Sequence, residues 1–246
     1  MSDAAPSRPK VRLHVTQSLG PGQTVTLERG QAHYLFSVMR LAPGDALALF
    51  NGHDGEWQAR VAEAGKRGGA LVCKTQSAPQ VMPPDLWLLF APIRKERTDF
   101  IVEKATEMGA ARILPVATDH TNAARIRQDR LQAHAVEAAE QCGGTYVPPV
   151  DALRPLAEVL AGWQEGRRLM FCDEARAGPG PALVGEAPGP WAILIGPEGG
   201  FSETERNRIA ALPFAHPVSL GPRILRADTA AVAALALWQA ALGDWR

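Results

Sequence analysis

The chain has 246 residues, 46% of them hydrophobic, enough for one large or two modest domains with a substantial core. Lys+Arg and Asp+Glu balance at 26 each, so no global field advertises a polyanionic partner and any RNA contact must come from a local basic patch. The three cysteines, Cys73, Cys142 and Cys172, are odd in number and lack CxxC spacing, which argues against a disulfide framework or a structural zinc site and fits a reducing cytoplasm.

Residues 1–10 are polar and proline-bearing, and are expected to form a flexible tail rather than a signal peptide or membrane anchor. From Val11 to Lys74 short strands are expected at Val11–Val15, Thr24–Leu27, Ala46–Phe50, Glu56–Ala62 and Ala70–Lys74, with a hairpin loop at Asn51–Gly55. One helix, His33 to Met39, interrupts them, so residues 11–78 read as a small β-barrel with one helix. Pro79, Pro83 and Pro84 stiffen the chain and remove ladder donors, marking residues 79–84 as a linker.

Beyond it, over residues 85–246, strands and helices alternate. Strands are expected at Leu86–Phe90, Arg112–Val116, Leu169–Cys172, Trp191–Ile195 and Pro217–Leu220. Helices are expected at Asp99–Met108, closed by Gly109, at Asp129–Cys142, closed by Gly143-Gly144, and in the Ala- and Leu-rich C-terminal segment. This alternation predicts an α/β domain, a parallel sheet with helices on both faces. A glycine- and proline-rich loop covers Ala177–Pro190. The apolar stretch from Ala230 to Leu242 is interrupted by Gln239 and too short to span a bilayer, so no membrane association is expected.

Two glycine-marked strand exits carry the chemistry: Ile195-Gly196-Pro197-Glu198-Gly199-Gly200 and Leu220-Gly221-Pro222-Arg223-Ile224-Leu225-Arg226. At the carboxyl ends of parallel strands, backbone N–H and C=O groups open into a crevice, and glycine lets a flat base or a ribose approach the main chain. The first exit lacks the Gly-Lys-Ser/Thr of a phosphate loop and the Gly-x-Gly-x-x-Gly of a dinucleotide site; Ser202 and Glu205 form a capping box behind it. In the second, Asp228 or Thr229 is a candidate N-cap of the last helix. Arg226 stands where a helix dipole disfavours positive charge, so it needs an anionic or polar partner. The six histidines show neither HExxH nor paired metal spacing, and no metal is expected. Cys142, near His134, is expected to be packed in an apolar helix face rather than to act as a nucleophile.

Ile195-Gly196-Pro197-Glu198-Gly199-Gly200-Phe201-Ser202, with Leu220-Gly221 and Ile224-Leu225-Arg226-x-x-Thr229-Ala230, resembles the 16S ribosomal RNA uridine-N3 methyltransferases of the SPOUT superfamily. Lys95-x-Arg97-x-Asp99 with Ile101–Gly109 is similar to that family's first catalytic-domain helix, and Glu137–Gly143 to its second. His33-Tyr34-Leu35 with Val38-x-Arg40 resembles the helix of its N-terminal PUA-like barrel. Two positions depart from the pattern: Asp228 stands where glutamate is frequent, and Thr121-Asn122 where an arginine-serine pair is common.

The resemblance implies a C-terminal SPOUT domain with a trefoil knot, S-adenosylmethionine as cofactor, 16S rRNA of the small ribosomal subunit as partner, and a homodimer. Three loops would meet at the cofactor: Cys172, Asp173 and Glu174; Ile195, Gly196, Pro197, Gly199 and Gly200; and Leu220, Gly221, Ile224, Leu225, Arg226, Thr229 and Ala230. Arg226 would stabilise negative charge developing on the uracil oxygens, while Glu198 or Asp228 would accept the N3 proton. Arg94, Lys95 and Arg97 precede the first helix on the side where the crevice opens; with Arg125, Arg127 and, on the barrel, Arg40, they are the expected RNA contacts. Competing readings are a knotted enzyme acting on a ribose 2′-hydroxyl or a tRNA base, and a non-catalytic RNA-binding or assembly factor.

Overall fold

The computed structural model describes residues 11–122, 126–173, 183 and 185–245. The chain falls into a first unit running to Met82 and including Ala139–Tyr146, and a second formed by Pro83–Ala138 and Val147–Arg246. The expected tail at residues 1–10 and most of the glycine- and proline-rich run lie outside the described residues.

The first unit is built on a five-stranded sheet in the order β1-β3-β4-β5-β2, with β1 Arg12–His14, β2 Thr24–Leu27, β3 Ala46–Phe50, β4 Glu56–Ala64 and β5 Gly69–Ala78. β1 runs parallel to β3 and the remaining pairs are antiparallel. A short helix α1, Arg29–Ala32, passes into a π-helical turn at His33–Val38, starting earlier than the expected helix because Glu28 and Gln31 form a capping box. Leu35 from this turn closes on Val25, Leu47, Leu49 and Leu71, all fully buried. Arg12 is the polar anchor of the unit. Its guanidinium donates to Glu56 Oε2 at 2.7 Å and to the carbonyls of Ala139, Glu140 and Gly144 at 2.6, 2.9 and 2.7 Å, satisfying acceptors that a helix C-terminus leaves unpaired.

The second unit holds a six-stranded, all-parallel sheet in the order β11-β9-β10-β6-β7-β8. Its strands are β6 Leu86–Phe90, β7 Arg112–Ala117, β8 Arg154–Pro155, β9 Arg168–Cys172, β10 Trp191–Ile195 and β11 Ala215–Val218. Side chains alternate between two apolar layers. Leu86, Leu88 and Phe90, with Trp191, Ile193 and Ile195, face the layer containing α2 Lys95–Glu107, α3 Gln128–Cys142 and α6 Ala227–Leu242. Leu89, Ala192 and Leu194 face α4 Leu156–Ala161 and α5 Glu203–Ala210. Burial on both faces is why these strands read as continuous apolar runs.

Several local expectations shift. α2 begins at Lys95 rather than Asp99, because the Lys-Glu-Arg run consists of good helix formers and Thr98 Oγ1 bonds back to Ile93. β11 ends at Val218, two residues before the expected strand; as an edge strand it tolerates Pro217. β8 and α4 have no counterpart among the elements expected from sequence. Cys142 is exposed, not packed in an apolar face.

Candidate active site

Three loops leave the carboxyl ends of adjacent strands β10, β9 and β11 and enclose a cleft of about 780 Å³, part of it open to solvent. β9 delivers Cys172 and Asp173. Full burial pushes the Cys172 thiol up to about 12, so it is a neutral wall group. Asp173, also buried, accepts from Arg206 Nε of α5 at 3.1 Å. β10 delivers Ile195, Gly196, Pro197 and Glu198, and the β11 exit delivers Ser219, Leu220, Gly221, Arg223, Ile224, Leu225 and Arg226, with Ala227 and Ala230 from α6. Gly196 is required by packing, since a Cβ there would lie 2.8 Å from the Phe201 ring. Gly221 is required by conformation instead: its φ is +109°, and a Cβ would meet nothing within 4 Å.

Of the cofactor residues expected from sequence, Cys172, Asp173, Ile195, Gly196, Pro197, Leu220, Gly221, Ile224, Leu225, Arg226 and Ala230 line this cleft together. Gly199, Gly200 and Thr229 do not line it: the glycines complete the turn before α5, and Thr229 is exposed in the first turn of α6. Glu174 and Arg125 lie outside the described residues.

A second cavity adjoins the first and shares Glu198 and Arg226 with it. Its other walls are Pro92, Ile93 and Arg94 at the β6 exit, Arg97 of α2, and Asn122 at the β7 exit. The outer loops are clasped across the end of β6. Ser202, the N-cap of α5, accepts from Glu205 N at 3.1 Å and donates to Asp119 Oδ2 at 2.5 Å, while Glu205 Oε1 accepts from Asp119 N at 2.9 Å. His120 Nδ1 donates to the Gly199 carbonyl at 3.0 Å, which requires the proton on that nitrogen. A Cβ on Gly199 would press on His120 at 3.3 Å.

The two acidic candidates differ in their surroundings. Asp228 meets Arg97 at 3.3 Å and caps its own turn through Thr229 N at 2.9 Å. Glu198 is exposed toward both cavities and makes no hydrogen bond or ion pair among the described residues. Arg226 occupies the N-cap position of α6, displacing the expected Asp228 or Thr229, and its side chain caps nothing. Of the basic candidates, Arg94 and Arg97 line the second cavity. Lys95 and Arg127 line a separate hollow with Ile126 and Arg130, although Arg127 is already held by Asp129 at 2.6 Å. Arg40 lies in the first unit, exposed, and is the one non-glycine residue with positive φ among the described residues, at +57°. Sequence reasoning missed the clasp residues Asp119 and His120 and gave Asn122 no role; a polar run following a buried strand was the only available signal.

A parallel sheet whose adjoining strand exits enclose a cleft of this lining defines an α/β enzyme of the nucleoside-binding kind. Residues 81–239 match the family model of an RNA methyltransferase domain, and residues 27–72 that of an RNA methyltransferase PUA domain. The ribosomal RNA small subunit methyltransferase E of Synechocystis sp. is 34% identical over 220 residues, covering 87% of this chain and 72% of that protein. The crystal structure of ribosomal RNA small subunit methyltransferase E from Neisseria gonorrhoeae, bound to S-adenosyl methionine, is similar with a TM-score of 0.85 and 27% identity, covering 97% of this chain and 100% of that one. A Legionella pneumophila protein solved in complex with the bound cofactor SAM has a TM-score of 0.84 and 28% identity, covering 95% and 98%. The chain belongs to the ribosomal RNA small subunit methyltransferase E family, an α/β RNA methyltransferase with a PUA domain.

Proposed function

We propose that the protein methylates the N3 position of a uridine in 16S rRNA, using S-adenosylmethionine held in the cleft at the β9, β10 and β11 exits. The observation that carries this is the pair of adjoining cavities with Glu198 and Arg226 on their common border. The cleft fits the cofactor: Ile195, Leu220, Ile224, Leu225 and Ala230 offer apolar walls for a purine, and Gly196 and Gly221 place no side chain in front of the main chain. When bound, S-adenosylmethionine supplies an electrophilic methyl group whose C–S electron pair stays on sulfur. The chain's own groups manage the base. Glu198 accepts the N3 proton, leaving on nitrogen the electron pair that forms the new N–C bond. Asp228, engaged by Arg97 and Thr229, positions Arg97 rather than taking the proton. Arg226 donates to the uracil oxygen on which charge develops.

The same reading includes a trefoil-knotted domain over residues 85–246, a PUA-like RNA-binding barrel over 11–78 joined by 79–84, and a cytoplasmic homodimer. Phe100 on α2 and Leu237 on α6, which stand exposed at 39% and 49%, support pairing through these helices. Arg94, Lys95, Arg97, Arg127 and Arg40 would contact phosphates, making affinity fall steeply with salt. Incubation with unmodified small subunits and methyl-labelled cofactor, followed by nucleoside analysis, tests the proposal. Labelled 3-methyluridine is expected. A different labelled nucleoside transfers the site to another RNA position, and failure to bind the cofactor leaves only a non-catalytic role.

A further inference from the structure

Asp173 is the first residue past β9 and Gly196 the first past β10, because the register of the two strands pairs Cys172 with Ile195. Side chains alternate along β9: Phe171 packs into the apolar layer that holds α5 and Cys172 into the opposite one, so Asp173 turns toward α5. Its side chain has no exposed surface, and an ionised carboxylate buried so deeply needs a counter-charge. Arg206 of α5 supplies one, its Nε donating to Asp173 Oδ1 at 3.1 Å. Nη2 of the same guanidinium donates to the carbonyl of Phe201 at 3.2 Å. Phe201 is the residue whose ring stands behind Gly196, and that ring also packs edge-on against Phe171 of β9. One side chain, which does not itself line the cofactor cleft, therefore ties the exit of β9 to the exit of β10 from behind.

We infer that Arg206 is a positioning residue for the cofactor: through Asp173 and Phe201 it fixes the spacing of the β9 and β10 exits, and with it the affinity for S-adenosylmethionine. The inference rests on the cofactor occupying that cleft, as proposed above, and concerns a residue remote from the reacting atoms. A guanidinium suits the task because its donors leave a rigid plane at fixed angles, so one bond to each exit holds the two at a single separation. A lysine could neutralise Asp173 but, as a point charge on a flexible stem, could not span both acceptors in the same way. The wall being held offers the ligand mainly main chain, at Cys172 and Gly196. Such a wall has no side-chain rotamer with which to follow a ligand if the strands splay, so its affinity depends on how firmly the backbone is supported from the α5 side.

The probe is S-adenosylhomocysteine titrated into the full chain by calorimetry, with affinity and stoichiometry read separately. Arg206→Lys, which keeps a charge near Asp173, is expected to weaken binding about 10-fold at unchanged stoichiometry, within the range of coupling between residues that share one ion pair. Because removal of the guanidinium alone can unfold the chain by stranding a buried carboxylate, the second variant combines Arg206→Met with Asp173→Asn, and it is expected to bind at least as weakly as Arg206→Lys. In steady state the KM for S-adenosylmethionine should rise by the same factor, while the KM for small subunits and kcat at saturating cofactor stay unchanged. Unaltered affinity in both variants overturns the inference, as do equal rises in the two KM values. A lowered stoichiometry at unaltered affinity also overturns it, since that is the mark of a purely structural residue that changes only the folded fraction. Failure of the unsubstituted chain to bind S-adenosylhomocysteine removes the cofactor reading together with this one, whereas binding that the variants match removes this one alone.

Discussion

Replacing Arg226 by alanine separates a transition-state role from a structural one, because the structure gives opposite expectations for the two. Arg226 is exposed, its side chain caps no backbone group of α6, and it makes no ion pair among the described residues. Its removal should therefore change folding free energy by no more than about 0.5 kcal/mol, the range for surface positions away from caps and networks. In the proposed reaction Arg226, at the border of both cavities, is a cation available to an oxygen that would gain charge as N3 loses its proton. Loss of one such donor costs about 10²–10³ in turnover, or roughly 2.7–4 kcal/mol of barrier. Single-turnover transfer of labelled methyl to small subunits, cofactor titration by calorimetry and urea unfolding together read the three quantities. Arg226→Lys should recover part of the rate, since a point charge remains but the planar fork does not. Near-normal turnover in Arg226→Ala with intact cofactor affinity refutes the role, and a large drop in the urea midpoint refutes the structural premise.

In the first unit, Arg12→Met should destabilise by about 3–5 kcal/mol, because Glu56 at 1% exposure is left as a buried carboxylate and three helix-end carbonyls lose their donor. The double change with Glu56→Met should cost clearly less than the two single changes added together; strict additivity in urea unfolding argues against coupling. Native alkylation at pH 8 should modify the exposed Cys142 and spare buried Cys73 and Cys172, since burial raises both buried thiols and takes Cys172 to about 12; mass mapping that finds Cys172 labelled first would contradict this. Burial lowers the His14 pKa below 6.5, so as pH falls through about 6.5 the unfolded chain gains a proton that the folded chain resists, and stability declines. His14→Gln should flatten that decline between about pH 7.5 and 5.5, the usual histidine range; identical pH slopes in both proteins would exclude the residue as a source. Asp119→Ala, which opens the clasp on the Ser202 N-cap, should lower kcat on small subunits while moving cofactor affinity less, a split visible in steady-state and binding measurements.

How far the sequence reveals each feature follows from how that feature is encoded. β2, β3, β6 and β10 coincide with their expected spans because an unbroken or alternating apolar run bounded by polar or turn residues has few other solutions. The Ser202–Glu205 capping box is readable because its partners stand three residues apart. The start of α2 is set too late from sequence because a run of charges looks like a loop, although Lys, Glu and Arg extend helices well once Thr98 closes the turn. The pairing of Arg97 with Asp228 spans 131 positions, and the Asp119–Ser202 contact 83, so neither leaves a local trace. Arg226 can be singled out from sequence as a cation in need of a partner, but its lack of one within the described residues shows only in the completed fold.

The strand order explains why one short loop carries so much of the site. β10 lies between β9 and β6, so its exit borders the exits of β9 and β11 on one side and those of β6 and β7 on the other. Glu198, on the loop from Gly196 to Ser202, is thereby a wall residue of both the first cleft and the second cavity. A loop that borders two cavities at once needs bracing of its own. This one is braced from behind by the α5 capping box, from the side by Asp119 and His120, and from beneath by the Phe201 ring packed edge-on against Phe171 at 5.1 Å. Glycine at 196 is then the consequence of that bracing, because the ring that steadies the loop occupies the space a side chain would need. Rigidity in the loop and access to its main chain are thus met by the same contact, and Glu198 stands at the edge of both cavities with no side-chain partner among the described residues.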